Sequence, residues 1–174
     1  MNLETLASYA EIVGLITILG AAVYSWFQIK EMKAHRLSAA AISLSEHFHR
    51  PGFVDAIVEM VYQPDSIDTI EKLKEYHGER WPEIITVMTT WESMGALVHR
   101  GDLDFHLVYD LYSGLIVATH NKCLPMISNE REKFAETRFE WFTWLADRIT
   151  EFKESEDSLG AAHIEFANWQ PPAR

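Results

Sequence analysis

The chain has 174 residues and a net charge of −11, and its 48% hydrophobic and 24% charged residues exclude a disordered polypeptide. The acidic charge repels phosphate backbones, so nucleic acid is not an expected partner. The single cysteine, Cys123, excludes an internal disulfide framework and fits a reducing compartment.

The first predicted element is a long apolar helix near the N-terminus. No residue from Ile12 to Ile29 is charged, and these 18 residues would form a helix of about 27 Å. Extended back to Leu6, with Glu11 as its one charge, the run reaches about 36 Å, enough to cross a hydrocarbon core of roughly 30 Å with some tilt. The sequence therefore predicts a transmembrane span at about residues 6–29, within an anchor covering residues 1–36. A buried helix of a soluble protein is the alternative.

The orientation of the span follows from its flanks. Basic residues follow the run and none precede it; they are Lys30, Lys33 and Arg36. The positive-inside rule places such residues in the cytosol, where they also bind anionic lipid headgroups. The acidic N-terminal flank argues against a cleavable signal peptide. We therefore predict a single-pass protein of the inner or plasma membrane, with its N-terminus outside and its C-terminal domain cytoplasmic.

Small residues recur at spacings of three and four along the predicted span, so they share one helix face. They are Ala7, Ala10, Gly14, Thr17, Ala21 and Ser25. Small side chains let two helices approach closely in lipid, so this face predicts packing against another membrane subunit or a second copy. The ordinary frequency of glycine and alanine in membrane spans explains the stripe equally well.

Residues 37–155 are predicted to form an all-α cytosolic domain of about five helices, because no alternating pattern indicates a strand. The span is expected to continue as a helix to about His49, before Pro51 and Gly52. A short helix follows in "GFVDAIVEMVYQ". A second, in "SIDTIEKLKEYHG", is expected to begin at a serine or aspartate cap and to end at Gly78.

Three longer helices complete the predicted domain. The first runs from Pro82 to Gly101, with a core face of Ile84, Val87, Trp91, Met94 and Val98. The second begins at Asp102 or Asp104 and ends or kinks at Pro125. Its predicted inner row is Leu107, Leu111, Leu115 and Ala118. The third runs from about Glu130 to Phe152, with an inner face of Phe142, Leu145, Ile149 and Phe152.

Large aromatic residues exceed what these inner faces need. Trp141 and Trp144 broaden the apolar face of the last helix, and Phe166 and Trp169 lie in an irregular tail, residues 156–174. We expect these four residues to contact a partner.

Several short motifs follow one another along the three longer predicted helices. They are Trp91-Glu92 with Gly95, Arg100-Gly101, Leu103-Asp104, Leu107 to Leu111 with Gly114, Arg131, and Phe139-Glu140. The pattern covers roughly residues 40–150 and resembles a bacterial domain-of-unknown-function family of small helical proteins, often with one N-terminal span. The chain departs from the pattern at Thr119-His120, where an aromatic residue is expected. The resemblance implies a helical fold and membrane attachment, and it implies no catalytic residue.

Five charged residues on otherwise apolar helices fit either a polar catalytic pocket or a structural network. They are Glu92, Arg100, Asp110, Arg131 and Glu140. Because no nucleophile–base pair accompanies them, the sequence favours a partly buried ion-pair network that fixes the register of three helices. We expect Arg131 to pair with Glu92 or Asp110.

Eight histidines raise the alternative of a His/Asp metal-dependent enzyme. His99 and His106 flank a turn with Asp102 and Asp104, whereas His47 and His49 are two positions apart and do not share a helix face. The sequence has no HExxH motif and no cysteine pair, so we predict neither a metal nor a cofactor.

The functional interpretation favoured by these patterns is a non-catalytic accessory or scaffold subunit. It would belong to a membrane complex or act as a self-associating adaptor, with membrane lipid and other membrane subunits or itself as partners. A membrane-tethered signalling or stress-response module is the alternative, followed by the metal-dependent enzyme.

Overall fold

The computed structural model describes residues 14–15, 17–29, 46, 48, 50–155 and 160–171. The chain divides into two compact units, residues 1–43 and 44–174. Regular structure is entirely helical in the described residues, and no strand occurs among them, which confirms the all-α prediction.

In the first unit, residues 14–15 and 17–29 are helical and every one of them is exposed. Eight are large apolar residues: Leu15, Ile18, Leu19, Val23, Tyr24, Trp26, Phe27 and Ile29. The described members of the small stripe, Gly14, Thr17, Ala21 and Ser25, are exposed as well. Ala7, Ala10, the basic cluster and most of the expected extension to His49 lie outside the described residues.

None of the helices in the described residues combines the length and the apolar character that a membrane span needs.

Two short helices open the second unit. Helix α1 (Phe53–Tyr62) starts after Gly52, whose φ of 84° is left-handed, and helix α2 covers Ile70–His77. The side-chain cap of α2 is Thr69, which accepts a hydrogen bond from the Lys72 backbone N–H at 3.1 Å, in place of the expected serine or aspartate. Gly78, with a φ of 55°, ends α2 as predicted and begins a 3-10 turn, Gly78–Arg80.

Helix α3 (Trp81–Arg100) has the predicted limits, with Pro82 in its first turn and Gly101 in a left-handed conformation after its end. Its predicted core face is confirmed at four positions, Ile84, Val87, Trp91 and Met94, which are buried. Val98 is half-buried.

Helix α4 (Phe105–Lys133) begins at Asp104, whose carboxylate accepts a hydrogen bond from the Leu107 backbone N–H at 2.9 Å. Of the two predicted alternatives at Pro125, an end of the helix is wrong, because the helix passes through this residue, and a kink stays a prediction. Pro125 cannot donate to the carbonyl of Asn121, but both residues are exposed, so water can replace the missing donor.

The predicted inner row of α4 is also wrong. Leu111 and Leu115 are 52% and 37% exposed. The buried row lies next to it and contains Val108, Tyr112, Ile116, Thr119 and Cys123. The Tyr112 ring faces the core, 4.5 Å from the Phe48 ring and 6.2 Å from Trp91, so aromatic packing sets the rotation of this helix.

The last long helix, α5 (Glu140–Glu154), starts ten residues later than the predicted Glu130, because residues up to Lys133 belong to α4. Phe142, Leu145 and Ile149 are buried as predicted. Helix α5 packs against α3 and α4, α1 packs against the same two helices, and α2 packs against α3. A short helix, α6 (Ala162–Glu165), follows in the exposed segment 160–171.

Candidate functional site

Four residues of the sequence motifs, Glu92, Gly95, Arg131 and Phe139, meet where the first turn of α5 lies against α3 and the end of α4. We call this place the α5 junction and define it by Glu92, Gly95, Arg131, Phe139 and Thr143. Two of these residues come from α3, one from α4 and two from the start of α5, so the junction joins three consecutive helices of the domain.

Gly95 lets the backbones of α3 and α5 touch. A Cβ atom at this position would lie 2.8 Å from the carbonyl carbon of Trp141 and closer still to its oxygen. Because these neighbours are backbone atoms, no side chain can move to make room for the extra carbon. Gly95 is therefore required by close helix packing, although it sits inside a helix.

Glu92, one turn before Gly95, caps the N-terminus of α5. Its Oε2 accepts a hydrogen bond from the Phe142 backbone N–H at 2.7 Å. Phe139 precedes the helix in a left-handed conformation, with φ 51° and ψ 41°, and no side chain of its own segment caps the helix. The carboxylate of a neighbouring helix thus supplies the missing acceptor, at the helix end where negative charge is favourable.

Arg131 fixes the turn that leads into α5. Its Nε donates to the carbonyl of Arg138 at 2.9 Å, and its Nη2 donates to the carbonyl of Phe139 at 3.0 Å and to Thr143 Oγ1 at 2.9 Å. The Thr143 hydroxyl donates to the Phe139 carbonyl at 3.0 Å. One guanidinium group therefore holds two successive carbonyls of a strained turn, since a non-glycine residue rarely adopts positive φ.

Two buried polar residues of α4, His120 and Glu130, complete the junction, and the sequence analysis assigned neither of them to a site. His120 Nε2 lies 3.2 Å from Thr143 Oγ1, within hydrogen-bond distance, so this ring joins α4 to the first turn of α5. Burial lowers the pKa of His120; Asp147 and Asn121 oppose this effect, and Arg131 adds to it. Glu130 is 2% exposed and lies 3.6 Å from Arg138 Nη2.

The structure corrects the predicted ion-pair network. Arg131 binds backbone carbonyls and Thr143 instead of Glu92 or Asp110, because the turn into α5 presents carbonyl oxygens to it. Arg100, Asp110 and Glu140 are exposed. None of the ion pairs in the described part of the chain joins two of the five predicted residues.

The junction holds helices together and offers little for chemistry. The Glu92 carboxylate, the Arg131 guanidinium and the Thr143 hydroxyl are all engaged with backbone groups. Cys123 is fully buried, and burial raises the pKa of its thiol to about 12, so it carries no thiolate near neutral pH. The arrangement is suited to positioning α5 and not to a nucleophilic reaction.

The histidines considered for a metal lie against aromatic rings. His99 is 4.6 Å from the ring of Trp141 and 5.5 Å from that of Trp144, and His106 is 5.3 Å from the ring of Phe152. Among the described residues, no group of three histidine, cysteine, aspartate or glutamate side chains could hold a metal ion. His47 and His49 lie outside these residues.

The four expected partner contacts differ in exposure. Trp141 and Trp144 are half-buried, and Trp144 lines an aromatic groove of about 530 Å³ with His99, Phe105 and Phe152. Phe166 and Trp169 are 50% and 66% exposed in the C-terminal segment. The tail residues are therefore more accessible to another molecule than the two tryptophans of α5.

The fold and the α5 junction define an all-helical domain. In it, the α3 motif of Trp91, Glu92 and Gly95 packs against the start of α5. Residues 15–149 match the model of a domain of unknown function, DUF4760, and the chain belongs to this family. The match confirms the resemblance inferred from the motifs. No curated protein and no solved structure matches the chain.

Proposed function

We propose that the protein is a membrane-anchored, non-catalytic subunit. Its helical domain would serve as a docking module on the cytoplasmic side of the inner or plasma membrane. The partner would be another membrane subunit or a second copy of the chain. The observation that carries this proposal is the exposure of every described residue between positions 14 and 29, although none of them is charged.

The free-energy cost of exposing these apolar side chains to water supports a membrane anchor. Eight large apolar side chains of this segment are at least half exposed, from Val23 at 55% to Ile18 at 68%. Burying one such side chain stabilises a protein by about 1.5 to 3 kcal/mol. A helix that leaves all eight in water is strongly unfavourable, and lipid or another apolar helix removes this surface from water.

The charges that follow the segment support the orientation. Lys30, Lys33 and Arg36 come directly after it, and no basic residue precedes it. This asymmetry favours a cytoplasmic C-terminal domain and adds about 1 kcal/mol per basic residue of attraction to anionic lipid.

The internal use of the motif residues supports a docking role over catalysis. Glu92, Gly95 and Arg131 serve to hold α5, so they leave no reactive group facing a ligand. The C-terminal segment, in contrast, exposes Ile164, Phe166 and Trp169 within six residues. Exposed aromatic and aliphatic side chains of this kind are the usual anchors of protein interfaces.

The proposal is tested by gentle detergent extraction of the full chain from native membranes. The particle mass and all co-eluting chains are then determined. We expect a defined set of membrane subunits or a defined homo-oligomer, and a particle holding one copy alone would contradict the docking role.

A matched pair of variants locates the docking surface. Phe166→Ser with Trp169→Ser removes two large exposed side chains, and we expect the co-eluting chains to be lost. The control pair, Ala161→Ser with Ala167→Ser, changes exposed neighbours in the same segment without removing apolar bulk. Equal co-elution of both pairs would exclude the tail as the docking surface.

A further inference from the structure

One face of α4 is apolar but points away from the core. We call it the α4 face and define it by Leu107, Leu111, Gly114, Leu115 and Ala118. Leu111 and Leu115 are 52% and 37% exposed, Gly114 is exposed, and the other two residues are half-buried. The five residues lie one above another along about three turns of the helix, so they form a continuous stripe. An apolar stripe of this length is typical of a helix that packs against another helix.

The sizes of these side chains are self-complementary about a point midway between Gly114 and Leu115. Leu111 lies three residues before this pair, and Ala118 lies three residues after it. When a second copy of α4 packs antiparallel with a two-fold axis at this point, Leu111 lies opposite Ala118 of the second copy. In the same arrangement Gly114 lies opposite Leu115 of the second copy. Each large side chain therefore meets a small one, which lets the two helices pack closely.

Gly114 forms a recess in the α4 face that the domain itself does not fill. Outside the backbone of its own helix, no described atom lies within 4 Å of the place where a Cβ atom would stand. The contacts of α4 within the domain therefore do not require a glycine here, in contrast to Gly95, although glycine destabilises a helix relative to alanine. A leucine side chain of a second copy would occupy this recess and account for the glycine.

The polar residues near the two ends of the α4 face favour the antiparallel arrangement. Asp104 and Asp110 lie toward its N-terminal end, and Asn121 and Lys122 follow its C-terminal end. At about 1.5 Å per residue, Lys122 lies about 4.5 Å along the helix axis from Asp104 of the second copy. Asn121 lies about 3 Å along the axis from Asp110 of the second copy. A parallel pair would instead bring Asp110 against Asp110, so charge complementarity selects the antiparallel one.

The two charged residues of this contact keep bonding capacity for a second copy. Lys122 Nζ pairs with Asp65, whose side chain is 84% exposed, but an ammonium group has three N–H donors. Asp104 uses one carboxylate oxygen to accept from the Leu107 backbone N–H, and a carboxylate has two oxygens. Pairing of Lys122 with Asp104 of the second copy therefore breaks no bond within the domain.

We propose that the α4 face is a homodimer interface, in which two copies of the chain pair antiparallel about the point between Gly114 and Leu115. This inference rests on the proposed membrane-anchored docking role and names a second copy as the partner. A single helix pair covers less surface than the roughly 1,200 to 2,000 Å² of a stable complex. Two chains anchored in one membrane meet at a raised effective concentration, so a small interface is sufficient.

A cysteine placed near the two-fold axis tests this geometry. Gly114→Cys brings the same thiol of two copies together, whereas Ser128→Cys, at an exposed position of the same helix, places the two thiols roughly 40 Å apart. Membranes that contain the full chain are treated near pH 7 with a short bismaleimide cross-linker. Cys123 should not react, because burial raises the pKa of its thiol to about 12, and the wild type serves as this control. We expect a covalent dimer from Gly114→Cys alone.

A mixture of two variants covers the case in which a side chain at position 114 itself separates the copies. Leu111→Cys and Ala118→Cys place thiols that lie opposite each other across the proposed interface, so chains of the two variants in one membrane should be joined. A covalent dimer from neither experiment would overturn the proposal. An equal yield from Ser128→Cys would overturn it too.

A larger side chain at position 114 tests the close approach of the two helices. In the single chain the side chain of Gly114→Gln enters open space, so its unfolding free energy should not fall below that of the wild type. In the pair it collides with Leu115 of the second copy. Energy transfer between chains that carry donor and acceptor fluorophores at their C-termini measures pairing in the membrane. We expect Gly114→Gln to lower it to the level of unpaired chains and the control Ser128→Gln to match the wild type.

Unchanged energy transfer in Gly114→Gln would overturn the proposed interface. The outcome is separate from that of the membrane anchor, which is tested by alkaline extraction. A wild type that stays in the membrane pellet while position 114 gives no covalent dimer and Gly114→Gln pairs normally would refute the α4 face alone. A wild type released by alkali would refute the anchor instead.

Discussion

The α5 junction and the N-terminal helix, described at residues 14–15 and 17–29, differ in which side chains they leave exposed. At the junction, polar groups such as Glu92 and Arg131 are engaged with backbone atoms. In residues 14–29, large apolar groups such as Leu19 and Trp26 are exposed. The difference shows that the motif residues at the junction hold the helices of the domain together, whereas the described residues of the N-terminal helix leave a large apolar surface uncovered.

The largest expected effect comes from filling the space at Gly95. Gly95→Ala places a carbon against the Trp141 carbonyl and forces α3 and α5 apart, so we expect a loss of about 3 kcal/mol, the upper end for overpacking. Gly114→Ala is the matched control, because this helical glycine has open space around it and should gain about 0.5 to 1 kcal/mol. Urea unfolding of the full chain followed by circular dichroism measures both, and equal effects would refute the close approach.

Arg131 should come next. Arg131→Met leaves the carbonyls of Arg138 and Phe139 without their charged donor, so we expect a loss of about 2 to 3 kcal/mol. Arg100→Met, at an exposed arginine outside the ion pairs of the described chain, should stay within about 0.5 kcal/mol of the wild type. The same unfolding assay compares them, and a neutral Arg131→Met would show that the turn into α5 needs no guanidinium.

A smaller effect is expected at the cap of α5. Glu92→Gln keeps an oxygen acceptor for the Phe142 N–H but removes the charge at a helix N-terminus, so we expect a loss of about 1 kcal/mol. Glu136→Gln removes a charge from an exposed turn and serves as the control. Raising the salt concentration should narrow the difference in unfolding free energy if the dipole interaction accounts for it.

The smallest effect is the pH dependence that His120 adds to stability. Burial lowers its pKa in the folded state, so the unfolded chain binds the proton more readily. Its contribution is therefore complete above the ordinary pKa near 6.5 and is lost as pH falls below that value toward the lowered one. His120→Gln should weaken the decline in unfolding free energy between pH 7.5 and pH 5.5. The pKa of His77 is lowered as well, so part of the decline should remain in His120→Gln. A steeper decline of the unfolding free energy in His120→Gln than in the wild type would contradict the stated role of His120.

Much of the helical domain could be predicted from its sequence. The limits of α3 follow from Pro82 and Gly101, and its core row follows from the spacing of Ile84, Val87 and Trp91. These sequence features are local, because the helix limits depend on backbone conformation and the core row depends on the spacing within one helix. The contacts of α3 with other helices bury the same row that the spacing predicts.

The rotation and length of α4 could not be predicted in the same way. Two adjacent rows, one with Leu111 and Leu115 and one with Tyr112 and Ile116, have the same spacing, and contacts with other helices decide which is buried. Because the wrong row was chosen, the burial of His120 and Glu130, which continue the buried row, was not predicted. Pro125 predicted an end of the helix, but the helix continues at this exposed position, where water can take the place of the backbone N–H that proline lacks.

The hydrogen-bond partners of the charged residues could not be predicted from the sequence either. Charge alone suggests that Arg131 pairs with Glu92 or Asp110. The left-handed turn at Phe139 instead presents two carbonyls to Arg131, and the open α5 N-terminus presents an N–H to Glu92. Backbone groups at helix ends compete with side chains for charged partners. Which of these backbone groups lack a partner can be known only from the conformation of the turn.

The proposed anchor can be tested most directly by alkaline extraction of membranes that contain the full chain. We expect the wild type to stay in the membrane pellet. The double variant Leu19→Lys with Val23→Lys should move to the soluble fraction, since each lysine near the centre of a span costs about 2.5 to 3.5 kcal/mol. The control Leu19→Ile with Val23→Leu should remain in the pellet. Release of the wild type by alkali, or retention of the lysine variant, would contradict the account.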